Sequence, residues 1–463
     1  MPSSDREPRR TLSSIRLLGI ACLATLLGVG AVAGILPAAD APSADLLQLI
    51  ADQIGDSEKE MRAIGLQQVR SEAAGEAATR RFLELLPTLR PDARAELVEA
   101  LGERGDPIAR PAIVALARGP DEAPRAAALR ALAGVGNEAD VALLVQQMAA
   151  DSAAEQAAAS HSLTRLKGQG VNRAIVAASG TAAAIVRVKL LEILAARNAK
   201  EALPAIVAAA SDPETTVRLA ALDALRTLAD EEQTGDLVKL LQAADAGAQR
   251  AKAETALLTL CGRAREKCVP PLAAGLAEAD APTRQTLLQA LARAGGSAAL
   301  EAVAACLEDP DQAVRDEAVR MLSLWPDRAV VARLQKIASA DNLRHHVLAV
   351  RGLVRLAGPE GEQPADLQLL GDTIRSARRQ DERQLALGVL GRTASLDSLT
   401  LAVALLDDPA IAEDAGWTAG AIAENLPAED REAVRAALRR VLDRCQGSKA
   451  REQAQKVLDL SSP

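Results

Sequence analysis

The chain has 463 residues, 49% of them hydrophobic and 25% charged, a balance that excludes a disordered polymer. Aromatic residues are nearly absent (Phe82, Trp325, Trp417 and no Tyr), so the core is built from Ala, Leu and Val, and an all-β fold is excluded. The net charge of −8, with almost nothing to stack on bases, argues against nucleic acid as a partner.

In chain order, residues 1–16 are polar and basic, with Arg6, Arg9, Arg10 and Arg16. Leu17 to Leu36 follows without a charge, and then comes the Pro/Ala/Asp/Ser stretch Pro37 to Ser43. A basic flank, an apolar run and the small-residue exit Ala31-Val32-Ala33 form a secretory pattern. The run is also long enough to span a bilayer. Residues 1–43 are therefore expected to be a signal peptide or membrane anchor plus linker, with the body exported to an extracytoplasmic, periplasmic-type space.

From residue 44 one pattern recurs. Asp212-Pro213-Glu214-Thr215-Thr216-Val217-Arg218 returns as Asp309-Pro310-Asp311-Gln312-Ala313-Val314-Arg315. With the Arg as anchor, small or apolar residues follow at +3, +4 and +7, which lie on one face of a helix. Anchors stand at Arg62, Arg94, Arg125, Gln156, Arg187, Arg218, Arg250, Arg284, Arg315, His346 and Arg383, with a degenerate copy near Asp414 and a last one at Arg451. Most intervals are 31 or 32 residues. Pro111, Pro204 and Pro270 stand 14 residues before an anchor, where proline suits a first helical turn. Asp56, Asp212, Asp309 and Asp408 stand six before theirs and are expected to cap the second helix. Each unit thus reads as helix, tight turn, helix, and such pairs must stack to bury their apolar faces. The segment Gly358 to Asp366 reads as a loop insertion where a break in curvature is expected. The chain then divides into a solenoid over 44–356, a loop at 357–367 and further repeats over 368–460.

The D-P-x-x-x-V-R-x-x-A-x-x-x-L pattern resembles HEAT repeats, in particular the short HEAT-like repeats named from phycobilin lyases. The resemblance implies an all-α superhelix, an α-solenoid of about 12–13 helical pairs. It also implies that the Asp and Arg columns form a hydrogen-bonded ladder between repeats, making Arg218 and Arg315 structural. Deoxyhypusine hydroxylases resemble the same repeat but carry iron on His-Glu pairs, and this chain has no His-Glu dipeptide.

The second helices are expected to line the concave face, with the +5 residue pointing outward. This column supplies the candidate protein-binding groove: Glu99, Arg130, His161, Glu192, Asp223, Gln289, Arg320 and Arg351. Its mixed charge suits a protein or peptide better than a polyanion. The alternative is a plain solvated face. His345 and His346 are adjacent and point apart on a helix, so they make poor joint ligands. No catalytic, cofactor or metal constellation is found. Trp325 and Trp417 read as packing or end-of-repeat residues rather than ligand platforms. Cys261 and Cys268 flank a short polar loop, and both a disulfide and two half-buried thiols fit. These features lead to an exported, non-catalytic scaffold for protein–protein interaction. The alternatives are a lyase-like enzyme subunit or accessory protein, and a structural envelope spacer.

Overall fold

The computed structural model describes residues 42–359 and 363–460. Among the described residues there are twenty-six α-helices and no strand, and the helices form thirteen consecutive pairs. The array runs from Ala44–Gly55 with Lys59–Ser71 to Arg431–Arg444 with Ser448–Leu460. Every anchor position, from Arg62 to Arg451, falls on the second helix of a pair. The second helices pack on one another in succession: Pro91–Arg104 on Glu122–Val135, that helix on Ala153–Arg165, and so on to Ser448–Leu460. The hydrophobic core is one continuous seam from Ile50 to Val457 rather than several separate cores.

Small residues set the spacing. The +3 alanines Ala128, Ala159, Ala221, Ala253, Ala318, Ala349, Ala386 and Ala454 are all fully buried. The tightest approach joins Pro91–Arg104 to Glu122–Val135. A Cβ on Gly134 would stand 2.0 Å from the Gly102 carbonyl oxygen, so only glycine fits. Pro111, Pro204 and Pro270 sit in the first turns of their helices, where the missing N–H is not needed.

The anchor residue closes its own turn. The Arg125 guanidinium donates to the Gly119 and Pro120 carbonyls at 2.8 and 2.9 Å, and Arg218 does the same to Asp212 and Pro213. Arg62, Arg315 and Arg451 also bond carbonyls five or six residues back, and Gln156 keeps one such bond. His346 substitutes by donating from Nδ1 to the Ala338 carbonyl, while its Nε2 accepts the Arg378 N–H from the next repeat. The remaining guanidinium donors reach forward. Arg125 pairs with buried Glu155, Arg187 with Asp212 and Arg284 with Asp309. Arg218 and Arg315 are structural in this sense.

Three expectations are corrected. The Asp column does not cap the second helices. Asp56, Asp212, Asp309 and Asp408 instead accept the N–H two residues on, turning the loop, and the N-cap positions are Glu58, Glu214, Asp311 and Ile411. Near Asp414 the register differs. Ala415 and Ala419 take the buried small-residue positions, and Trp417, three after Asp414, faces out. Trp417 is 53% exposed and is not a packing residue, whereas Trp325, at 1%, is. Glu254, which breaks the aliphatic pattern, pairs with Arg250 at 3.2 Å and accepts from the Thr286 hydroxyl.

The segment before residue 42, with Leu17 to Leu36 and Cys22, lies outside the described residues. No helix among the described residues is long and apolar enough to cross a membrane. The helix before the insertion ends at Ala357, and Asp366 caps Leu367–Ser376 by accepting from the Leu369 N–H.

Candidate functional site

The +5 residues are exposed or half-buried, and they line up along the second-helix face. The structure brings Glu99, Arg130 and His161 together in one cleft of about 660 Å³ between three successive second helices. Gly102, Ala131, Ala133 and Gly134 form its floor, and Glu103, Arg165 and Lys167 complete its walls. Glycine at 102 and 134 permits the close helix approach and leaves a floor of backbone and methyl groups. Arg320 borders a second cleft, with Asp316, Glu317, Leu343 and Arg344. Glu192, Asp223, Gln289 and Arg351 do not line either of these clefts.

Much of the charge on this face is spent between neighbouring repeats. Asp223 pairs with Lys252, Arg351 with Glu382 at 3.5 Å, and Arg130 with Glu99 at 3.5 Å. Arg320 pairs with Glu317 in its own helix. Each of these pairs is partly solvated and individually weak. The acidic centre and basic end of the +5 column are therefore muted in the structure. The neutralising partners sit at other helical positions, which a single-column reading does not see. The exception is the first cleft. Its acids Glu99 and Glu103 already pair with Arg130 and Arg70, and neither Arg165 nor Lys167 forms an ion pair among the described residues. His161 sits in this field. Burial, then the charges of Arg165 and Arg130, hold its imidazole below the usual value of 6.5.

A third cleft, of about 730 Å³, lies on the same face between Gln380–Gly391, Ala412–Ala423 and the start of Ser448–Leu460. Trp417 lines it with Leu387, Gly388, Asp414, Thr418 and Lys449. The sequence signal for it was the Trp itself, one of three aromatics in the chain, but the degenerate repeat hid its direction.

A second arginine column also escaped the periodicity. Arg104, Arg197, Arg263 and Arg355 stand near the ends of second helices and reach back to the last carbonyls of the preceding second helix. Arg197 donates to the Leu163 and Thr164 carbonyls at 2.7 and 3.1 Å, Arg263 to Thr227 and Ala229, and Arg104 to Val69 and also to Gly75, which precedes the Glu76–Leu85 helix. Arg355 bonds the Ser323 and Trp325 carbonyls. Cations at helix C-termini satisfy orphan carbonyls and oppose the dipole. The varied spacing of this column from the anchor explains why it was missed.

His345 bonds Asp316 at 2.7 Å and His346 is buried in the turn, so the two serve separate contacts. Among the described residues no group of three or more His, Cys, Asp or Glu could hold a metal. Cys261 and Cys268 are buried free thiols rather than a disulfide. The Cys261 thiol donates to the Cys268 sulfur, which pushes Cys261 up and holds Cys268 below the ordinary thiol range.

The fold and the clefts define an α-solenoid of stacked helical pairs with an open second-helix face. Residues 79–164 and 269–351 match the model of the HEAT repeat family, and these two stretches are HEAT repeats. No curated protein matches the sequence. Among solved structures, the chain is similar to the karyopherin Kap121p bound to the extreme C-terminus of the protein phosphatase Cdc14p. That match has 12% identity and a TM-score of 0.47, over 90% of this chain and 53% of that one. It is similar also to Kap121p bound to RanGTP, with 13% identity, a TM-score of 0.44, and 89% and 52% covered. The chain thus spans about half the length of these structures.

Proposed function

We propose that this chain is a non-catalytic scaffold that binds another protein along its second-helix face. The observation that carries the reading is Trp417. In a chain almost without aromatics, Phe82 and Trp325 are 0% and 1% exposed, while Trp417 is 53% exposed in a cleft on that face. A solvated indole has no benefit for the fold, since burying it would stabilise the core. Trp is enriched among the few residues that dominate protein interfaces.

The test compares capture of the native partner by the full chain and by two sets of variants. Trp417→Ala and Glu192→Lys change the second-helix face, and Arg173→Glu and Lys239→Glu change exposed first-helix positions. The proposal expects a stoichiometric protein that the first set loses and the second keeps. Equal loss from both sets, or no saturable partner, rejects it, and turnover of a substrate by the purified chain rejects the non-catalytic part. The charge-free stretch Leu17 to Leu36, flanked by arginines and then acids, supports placing the body outside the membrane. Protease digestion of intact cells carrying the full chain tests this, because an exported body is cut from outside.

A further inference from the structure

We propose that the cleft bounded by Arg130, His161, Arg165 and Lys167 binds an acidic, extended segment of the partner protein. The inference rests on the scaffold reading and names what one part of its face would hold.

The argument begins with charge. The chain carries a net charge of −8, yet this cleft holds a local positive surplus. Its two carboxylates are already paired, Glu99 with Arg130 and Glu103 with Arg70. Arg165 and Lys167 have no such partner among the described residues, although both face the same cleft. His161 lines the same cleft, where burial first, and then the charges of Arg165 and Arg130, hold its imidazole below the usual value. A cleft with a surplus of one sign of charge concentrates ligands of the other.

Shape then selects among anions. The floor of Gly102, Ala131, Ala133 and Gly134 presents backbone and methyl groups, so an extended main chain can lie close to it. Glu99 and Glu103 offer acceptors for its N–H groups, while Arg165 and Lys167 meet its carboxylates. The volume of about 660 Å³ is in the range that holds a short segment. No aromatic lines the cleft, so bases have nothing to stack on, and a long phosphate polymer would be repelled by the rest of an acidic chain.

The probe is a fluorescent oligoglutamate peptide, titrated onto the full chain at low and moderate salt. The proposal expects saturable binding that weakens with salt and is absent for the matching oligoglutamine peptide. Arg165→Glu with Lys167→Glu should weaken it about tenfold or more, whereas Arg173→Glu with Lys239→Glu should leave it unchanged. If the first double variant loses helicity, Arg165→Gln with Lys167→Gln carries the same test with a smaller loss. Absence of saturable binding, equal binding of oligoglutamine or indifference to the double variants overturns the proposal. So does displacement of the peptide by inorganic polyphosphate at lower concentration. Loss of this binding while partner capture still depends on Trp417 removes the acidic occupant alone. Loss of face-specific capture rejects the scaffold reading instead.

Discussion

Single side chains carry much of the connection between repeats. Arg197 bonds two terminal carbonyls of the preceding second helix and the Asn172 side chain. Arg197→Met keeps most of the apolar stem and removes the donors. We expect a loss of about 1 kcal/mol, read from the denaturation midpoint, with hydrogen-exchange protection falling around Leu163 and Thr164. An unchanged midpoint would mean that water replaces the guanidinium at no cost. His161 offers a second measurement. Its folded-state pKa is depressed below 6.5 by burial and by Arg165 and Arg130. The unfolded chain therefore takes up the proton more readily than the folded one. Its contribution to stability is unaffected above 6.5 and becomes unfavourable as pH falls through 6.5 towards the folded value. NMR titration should show the depression, and Arg165→Gln should raise the value towards 6.5. No movement would remove Arg165 from the account.

At the scale of elements, helix spacing is set by what the contacting residues lack. Gly134→Leu would drive a side chain into the Gly102 carbonyl, and overpacking of this kind costs about 1–3 kcal/mol. Gly262 lies inside the Ala248–Ala264 helix with nothing within 4 Å of an added Cβ. Gly262→Ala should therefore stabilise by up to about 1 kcal/mol, through helix propensity alone. Thermal unfolding of the two variants separates these cases, since opposite shifts are required. Equal shifts would show that the Gly102–Gly134 approach is not close enough to exclude a side chain. The turns follow the same logic. The anchor arginine satisfies the turn carbonyls and the Asp turns the loop, so the two columns act together without either capping the second helix.

For the whole molecule, a stack held by neighbour contacts predicts local rather than global damage. Ala221 is fully buried in the middle of the array. Ala221→Trp should remove hydrogen-exchange protection around residues 203–228 and the adjoining pairs, while the terminal pairs keep theirs. Uniform loss along the chain would indicate one cooperative globule instead.

The 31-residue period, the Ala, Leu and Val core and the first-turn prolines determined the helical pairs, their number and the outward +5 column, because helical periodicity and burial are written locally. The structural role of Arg218 and Arg315 was an implication of the resemblance to HEAT repeats, not of the period itself. Cross-repeat geometry was not local. It decided that Lys252 and Glu382 would neutralise Asp223 and Arg351, and that Arg197 would reach back to a neighbour's carbonyls. It also turned Trp417 outward in the degenerate repeat and left Arg165 and Lys167 without an ion-pair partner among the described residues, beside Glu99, Arg130 and His161. These outcomes depend on which positions of adjacent helices come within hydrogen-bonding distance, and that is set by packing between repeats rather than by spacing within one.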